Sequence, residues 1–160
     1  MILLAAAAAM LVPPPLPGDD RTQIIYAVRH TLDALLAGDE KTAREGFDPD
    51  ARFDIVDMRS GMTQRRTLDQ MVAHLKTKSK YQEPFAIPNV LQNGRYAQVW
   101  VPYSFWIDGR KSHCGIDNAT LVEGKDGWRI TSFGFTMVAL DQCDALGAPT
   151  VADPSNEHLP

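Results

Sequence analysis

Residues 95–139, RYAQVWVPYSFWIDGRKSHCGIDNATLVEGKDGWRITSFGFTMVA, decide the fold. Apolar and polar residues alternate along three runs, 95–108, 111–123 and 128–139, as they do in strands that bury one face. The runs are separated by Asp108-Gly109-Arg110-Lys111 and Gly124-Lys125-Asp126-Gly127, whose glycines and aspartates suit tight hairpins. Two-residue loops at Gly109-Arg110 and Lys125-Asp126 pair Asp108 with Lys111 and Gly124 with Gly127. One face then carries Val99, Val101, Tyr103 and Phe105, beside Cys114, Ile116, Asn118 and Thr120, beside Thr131, Phe133 and Phe135. The other carries Trp100, Pro102, Ser104 and Trp106, beside His113, Gly115, Asp117 and Ala119, beside Ile130, Ser132 and Gly134. The first set is more uniformly apolar and is expected to face the core. The second, with two Trp in a mixed setting, reads as an interface. A slip of one residue exchanges the two sets.

Toward the N-terminus the period changes. Pro84 and Pro88 make 84–92 an edge or irregular strand. Leu68, Met71, Val72 and Leu75 form the apolar stripe of a helix over 68–78, and Phe53 and Ile55 share one face of a strand over 51–58. Asp39 caps a short helix through Glu45. Ile25, Val28, Leu32, Leu35 and Leu36 recur at helical spacing between the Asp19-Asp20 caps and Gly38. Helices come first and the antiparallel sheet last, so the class is α+β.

The chain reads as a domain over 18–143, preceded by a signal-like segment and spacer (1–17) and followed by a disordered tail (144–160). MILLAAAAAMLV at 1–12 is too short to span a bilayer and resembles the apolar region of a secretory signal, though no Lys or Arg precedes it. The expectation is a periplasmic or secreted protein without a stable membrane span. With 16 Lys+Arg against 20 Asp+Glu and no clustered basic surface, nucleic acid is not an expected partner.

The order of elements resembles the nuclear transport factor 2-like superfamily, in which a curved sheet wraps around helices to form a cone. The resemblance is carried by Ala34-Leu35-Leu36-Ala37-Gly38-Asp39, Phe47-Asp48-Pro49-Asp50-Ala51, Gly94-Arg95-Tyr96-Ala97-Gln98-Val99 and Asp126-Gly127-Trp128-Arg129-Ile130. It covers residues 20–139. Ser112-His113-Cys114-Gly115 looks closest to the exported SnoaL-like bacterial branch that carries a lumazine-binding name. The resemblance implies a cone-shaped cavity for a small, mostly apolar molecule, on a fold that hosts isomerases, cyclases, dehydratases and non-catalytic modules alike. Isomerase-like members hold a general-base aspartate on the strand after the second helix. That position falls here on Ile55, flanked by Asp54 and Asp57.

The expected function is small-molecule binding in the cone, or dimerisation through the sheet, without catalysis. Tyr103, Phe105, Asn118, Phe133 and Phe135 are the expected ligand contacts, with the Asn118 amide needing a partner on an apolar face. The alternative is a cofactor-free isomerase, dehydratase or cyclase, for which Asp57 and Tyr103 are the candidate acid–base groups. Asp57 shares parity with Phe53 and Ile55, whereas Asp54 reads as solvated. His113 reads as a surface or interface residue. Neither it nor His30, His74 or His158 has ligand-spaced partners, so no metal or other cofactor is expected. Cys114 and Cys143 either form a disulfide, with the chain folding back after Leu140, or leave Cys114 a buried free thiol. Trp100 and Trp106 mark the expected homodimer face.

Overall fold

The computed structural model describes residues 21–152; the signal-like segment, its proline spacer and the last residues of the expected tail lie outside the described residues. Helix α1 spans Arg21–Ala37 and buries Ile24, Val28, Leu32 and Leu35 along one stripe. Helix α2, Glu40–Gly46, is capped by Asp39, whose carboxylate accepts the Thr42 N–H at 3.2 Å. Strand β1 runs from Phe47 to Asp57 and turns back through β2, Met62–Thr67. Strand β2 is largely polar, with no apolar alternation to announce it. Helix α3, Leu68–Leu75, starts at a reciprocal Thr67–Gln70 capping box. Two short strands follow, β3 at Tyr81–Gln82 and β4 at Asn89–Asn93. The long strands β5 (Tyr96–Ile107), β6 (Arg110–Gly124) and β7 (Gly127–Met137) fall where the alternation predicts them.

The sheet has the order β2-β1-β7-β6-β5-β3, with β4 also pairing to β5. Every pair is antiparallel except β1 with β7, which are parallel and set Phe53 beside Phe133. Phe47, Phe53, Val99, Val101, Leu121 and Ile130 are buried against Ile24, Val28 and Leu68. Each such side chain contributes about 1.5–3 kcal/mol relative to exposure. Among the described residues no helix is long and apolar enough to cross a membrane.

The register departs from the expected one in strand β6. The first turn is Asp108-Gly109, both with positive φ (51° and 77°), so Ile107 pairs with Arg110. A bulge between Phe105 and Trp106 then brings Phe105 opposite His113, Tyr103 opposite Gly115 and Val101 opposite Asp117. The second turn pairs Gly124 with Gly127 as expected, but a shift between Thr120 and Leu121 sets Phe133 against Ala119 and Phe135 against Asp117. His113, Gly115, Asp117 and Ala119 are therefore the inward residues of β6. Asn118 belongs to the other face, beside Trp100 and Gly134.

The tail also differs from expectation. A 3-10 turn at Leu140–Gln142 and helix α4, Cys143–Leu146, fold the chain back onto β6. There Cys143 is bonded to Cys114, with Cα atoms 5.6 Å apart. Residues 144–152 are not a free tail: Ala148 is buried, Lys111 donates to the Pro149 carbonyl at 3.1 Å and Gln82 donates to the Ala152 carbonyl at 3.4 Å.

Candidate functional site

The concave face of the sheet, roofed by α1 and α3, encloses a cavity of about 260 Å³. Its walls are Phe53 and Ile55 of β1, Phe133, Phe135 and Met137 of β7, and Phe105 and Ile107 of β5, with Leu32, Leu35, Leu36, Met71 and Leu75 closing it from the helices. Polar side chains reach it from three places: Gln64 and Arg66 on β2, His74 on α3, and the group Tyr81, Glu83 and His113 beside β5 and β6. An apolar chamber with a few polar groups is the architecture of a small-molecule site.

Three of the expected contacts, Phe105, Phe133 and Phe135, line this cavity. Tyr103 points inward but is fully buried behind the lining, its hydroxyl donating to the Thr136 carbonyl at 2.7 Å. Its ring lies over Gly115, where a Cβ would come within 2.9 Å of Tyr103 Cε1 and 1.8 Å of the Thr136 oxygen. Burial pushes the ionisation of this phenol far above its ordinary range, with the charge of Asp117 adding to the effect. Asn118 faces away from the cavity because the two bulges turn it outward.

Asp57 is held in a forked pair, Arg59 Nε and a terminal guanidinium nitrogen donating at 2.8 and 2.9 Å. That hydrogen bonding keeps its carboxyl well below the usual carboxylate range, so it is a poor proton acceptor. Asp54 pairs with Arg65 at 2.7 Å on the solvent side. His113 is a correction to the surface reading: it is buried, stacked on Phe105 with centroids 5.0 Å apart, and edge-on to Tyr103 at 5.9 Å. Burial, followed by the charge of Arg59, pushes His113 down to about 4, so it is neutral at pH 7. Among the described residues no cluster of His, Cys, Asp and Glu could hold a metal ion.

Two carboxyl groups belong beside this site that the sequence reading did not put there: Glu83, which it passed over, and Asp117, which it placed on the outer face. Asp117 is 1% exposed, and neither of its oxygens completes a hydrogen bond of good geometry. The Glu83 carboxyl lies against it. Burial and then the negative charge of Glu83 raise Asp117 well above its ordinary value. Burial and then Asp33 push Glu83 up to about 8, opposed by Arg29 and then by the close approach of the Asp117 carboxyl. The pair therefore holds protons that free carboxyls would release, and Asp117, the deeper, holds its own more firmly. A signal for one of them was present: in the central strand segment Ile116-Asp117-Asn118-Ala119, adjacent polar residues force one inward whatever the register. Glu83 lies in the irregular stretch Tyr81-Gln82-Glu83-Pro84-Phe85, where no period marks a face.

Neither a protein-family model nor a curated protein matches this chain. Solved structures do. A nuclear transport factor 2-like protein of Cytophaga hutchinsonii aligns at a TM-score of 0.62 and 15% identity, over 74% of this chain and 98% of its own. One from Novosphingobium aromaticivorans, with a cystatin-like fold, gives 0.61 and 13% over 81% of this chain and 90% of its own. A superfamily protein of Salmonella enterica gives 0.61 and 18% over 78% and 94%. The chain thus has the nuclear transport factor 2-like, cystatin-like fold, an α+β cone of helices inside a curled sheet.

Proposed function

We propose that this protein is an exported binding module that takes a small, mostly apolar molecule into its cone without turning it over. The observation that carries the reading is the 260 Å³ cavity, walled by Phe53, Phe105, Phe133 and Phe135 and open to few polar groups. Binding is favoured over catalysis because the two expected acid–base groups are engaged elsewhere, Asp57 by Arg59 and Tyr103 by the Thr136 carbonyl. Export is supported by the signal-like segment 1–12 and by the Cys114–Cys143 disulfide, a bond at home in oxidising compartments. Pairing of two copies through the convex face is supported by Trp100 and Tyr96, each 50% exposed on β5.

Native mass spectrometry of protein taken from a bacterial periplasm tests the binding reading. A small molecule should travel with the wild type and be lost from Leu36→Trp, which fills the chamber from α1. An empty protein that also gains no mass from a metabolite extract would end the reading.

The Glu83–Asp117 pair favours a second reading, a cofactor-free enzyme moving a proton inside the cone. Exchange of α-hydrogens of 2-tetralone for deuterium, followed by NMR, separates the two. Catalysed exchange that disappears in Glu83→Gln while 2-tetralone still binds would replace the module by the enzyme.

A further inference from the structure

Arg66 is the one guanidinium on the cavity wall, and among the described residues no carboxylate pairs with it. Arg29, Arg44, Arg59 and Arg65 all meet an Asp within 4 Å, on Asp33, Asp69, Asp57 and Asp54 respectively. Arg66 instead donates to Gln64 Oε1 at 2.9 Å, an interaction that orients the side chain without neutralising it. The neighbouring wall residue His74 supplies no negative charge either, and burial together with Arg66's own charge lowers its proton affinity. A half-buried, oriented cation beside an apolar chamber is a site for an anion.

The opposite side of the cavity has the reverse character. Arg66 enters from β2 at one edge of the sheet and Glu83 follows β3 at the other, with β1, β7, β6 and β5 between them. Protonated, Glu83 brings no charge to an anion and offers its O–H to a neutral oxygen, while Asp117 lies behind it, outside the cavity lining.

Resting on the binding reading above, we propose that the cavity takes an apolar monocarboxylic acid. Its carboxylate lies on Arg66 at the β2 edge, and any carbonyl or hydroxyl oxygen is directed toward Glu83 at the β3 edge. The planar guanidinium fork matches a carboxylate in two parallel hydrogen bonds, which a lysine would not reproduce.

Isothermal titration of the mature, disulfide-bonded protein at pH 7 with 2-naphthylacetate and 2-naphthylacetamide tests this. The two probes share an apolar body and differ in the charge of one group. The acid should bind at least about tenfold more tightly than the amide, a difference of about 1.4 kcal/mol. Arg66→Gln should remove that preference and leave the amide's affinity unchanged, and Arg66→Lys should restore only part of it. Equal affinities in the wild type overturn the carboxylate assignment while leaving apolar binding intact, and this comparison decides even where a variant fails to fold. A variant that keeps the wild-type circular dichroism and weakens both probes alike also overturns it. Binding of neither probe overturns the apolar-site reading and this inference with it.

Discussion

Glu83 and Asp117 bring two carboxyl groups face to face beside an apolar chamber, the first from the segment after β3 and the second from the middle of β6. Among the described residues neither carboxyl has a salt-bridge partner; Arg29, the cation that bears on Glu83, is itself turned over the Phe85 ring at 4.9 Å and paired with Asp33 at 3.7 Å. The fold therefore tolerates the pair by keeping it protonated, and that has a measurable cost at higher pH.

Stability should fall as pH rises from about 4.5, the ordinary value for Glu, toward about 8, where the folded Glu83 releases its proton. In that window the unfolded chain has lost the proton and the native chain has kept it, so the native state binds more protons and each pH unit costs up to about 1.4 kcal/mol. Asp117 contributes with the same sign, starting from its own lower ordinary value. Urea denaturation at pH 5 and pH 8 checks this. Glu83→Gln should flatten the difference by about 2 kcal/mol or more, and an unchanged pH dependence in that variant would show that the pair is not protonated in the fold.

The Cys114–Cys143 bridge anchors the segment after β7 to β6 across 29 residues of sequence. Reduction, or the Cys114→Ser/Cys143→Ser double variant, should cost about 2–5 kcal/mol. Limited proteolysis should then open the chain between Gly147 and Ala152, which otherwise packs on Lys111 and Gln82. Equal melting temperatures with and without reductant would count against the bridge as a stabilising element.

Gly115 and Gly134 offer a paired test of the β6 register. A methyl group at Gly115 collides with the Thr136 carbonyl at 1.8 Å, whereas one at Gly134 meets the Asp54 carbonyl at an ordinary 3.5 Å. Gly115→Ala should lose about 3 kcal/mol or more, through strain and the displaced Tyr103 hydrogen bond. Gly134→Ala should stay within about 1 kcal/mol. Comparable chemical-denaturation midpoints for the two variants would contradict the observed register.

The proposed dimer rests on the convex face of β5. Trp100→Lys should convert a dimer to a monomer in size-exclusion chromatography with light scattering, because it replaces the large exposed ring on this face with a charge. A wild type that is already monomeric at micromolar concentration removes the proposal.

Much of the architecture follows from periodicity. The stripe from Ile25 to Leu36, the Asp39 cap and the alternation from residue 96 to 137 place α1, α2 and the three long strands within a few residues. The aromatic wall of Phe105, Phe133 and Phe135 was legible for the same reason. What periodicity cannot count is an inserted residue. The bulge after Phe105 and the shift at Thr120 leave the strands where the pattern puts them but exchange the faces of β6. That exchange turned Asn118 outward and brought His113 and Asp117 in. Arg66 stayed hidden because its strand, Met62-Thr63-Gln64-Arg65-Arg66-Thr67, is polar on both faces and carries no alternating signal.

The parallel pairing of β1 with β7 also orders events in time. Phe53 is synthesised 80 residues before its neighbour in the sheet, Phe133, which is the last buried residue of the main core cluster. A nascent chain can form α1 and α2 early, but it cannot close the chamber until almost the whole length is free to collapse. A chain threaded through a translocation channel from its N-terminus would thus emerge with an incomplete sheet and a bare aromatic wall. For an exported chain of this topology the cavity would come into being only after transit, in whatever molecules surround the chain at that moment.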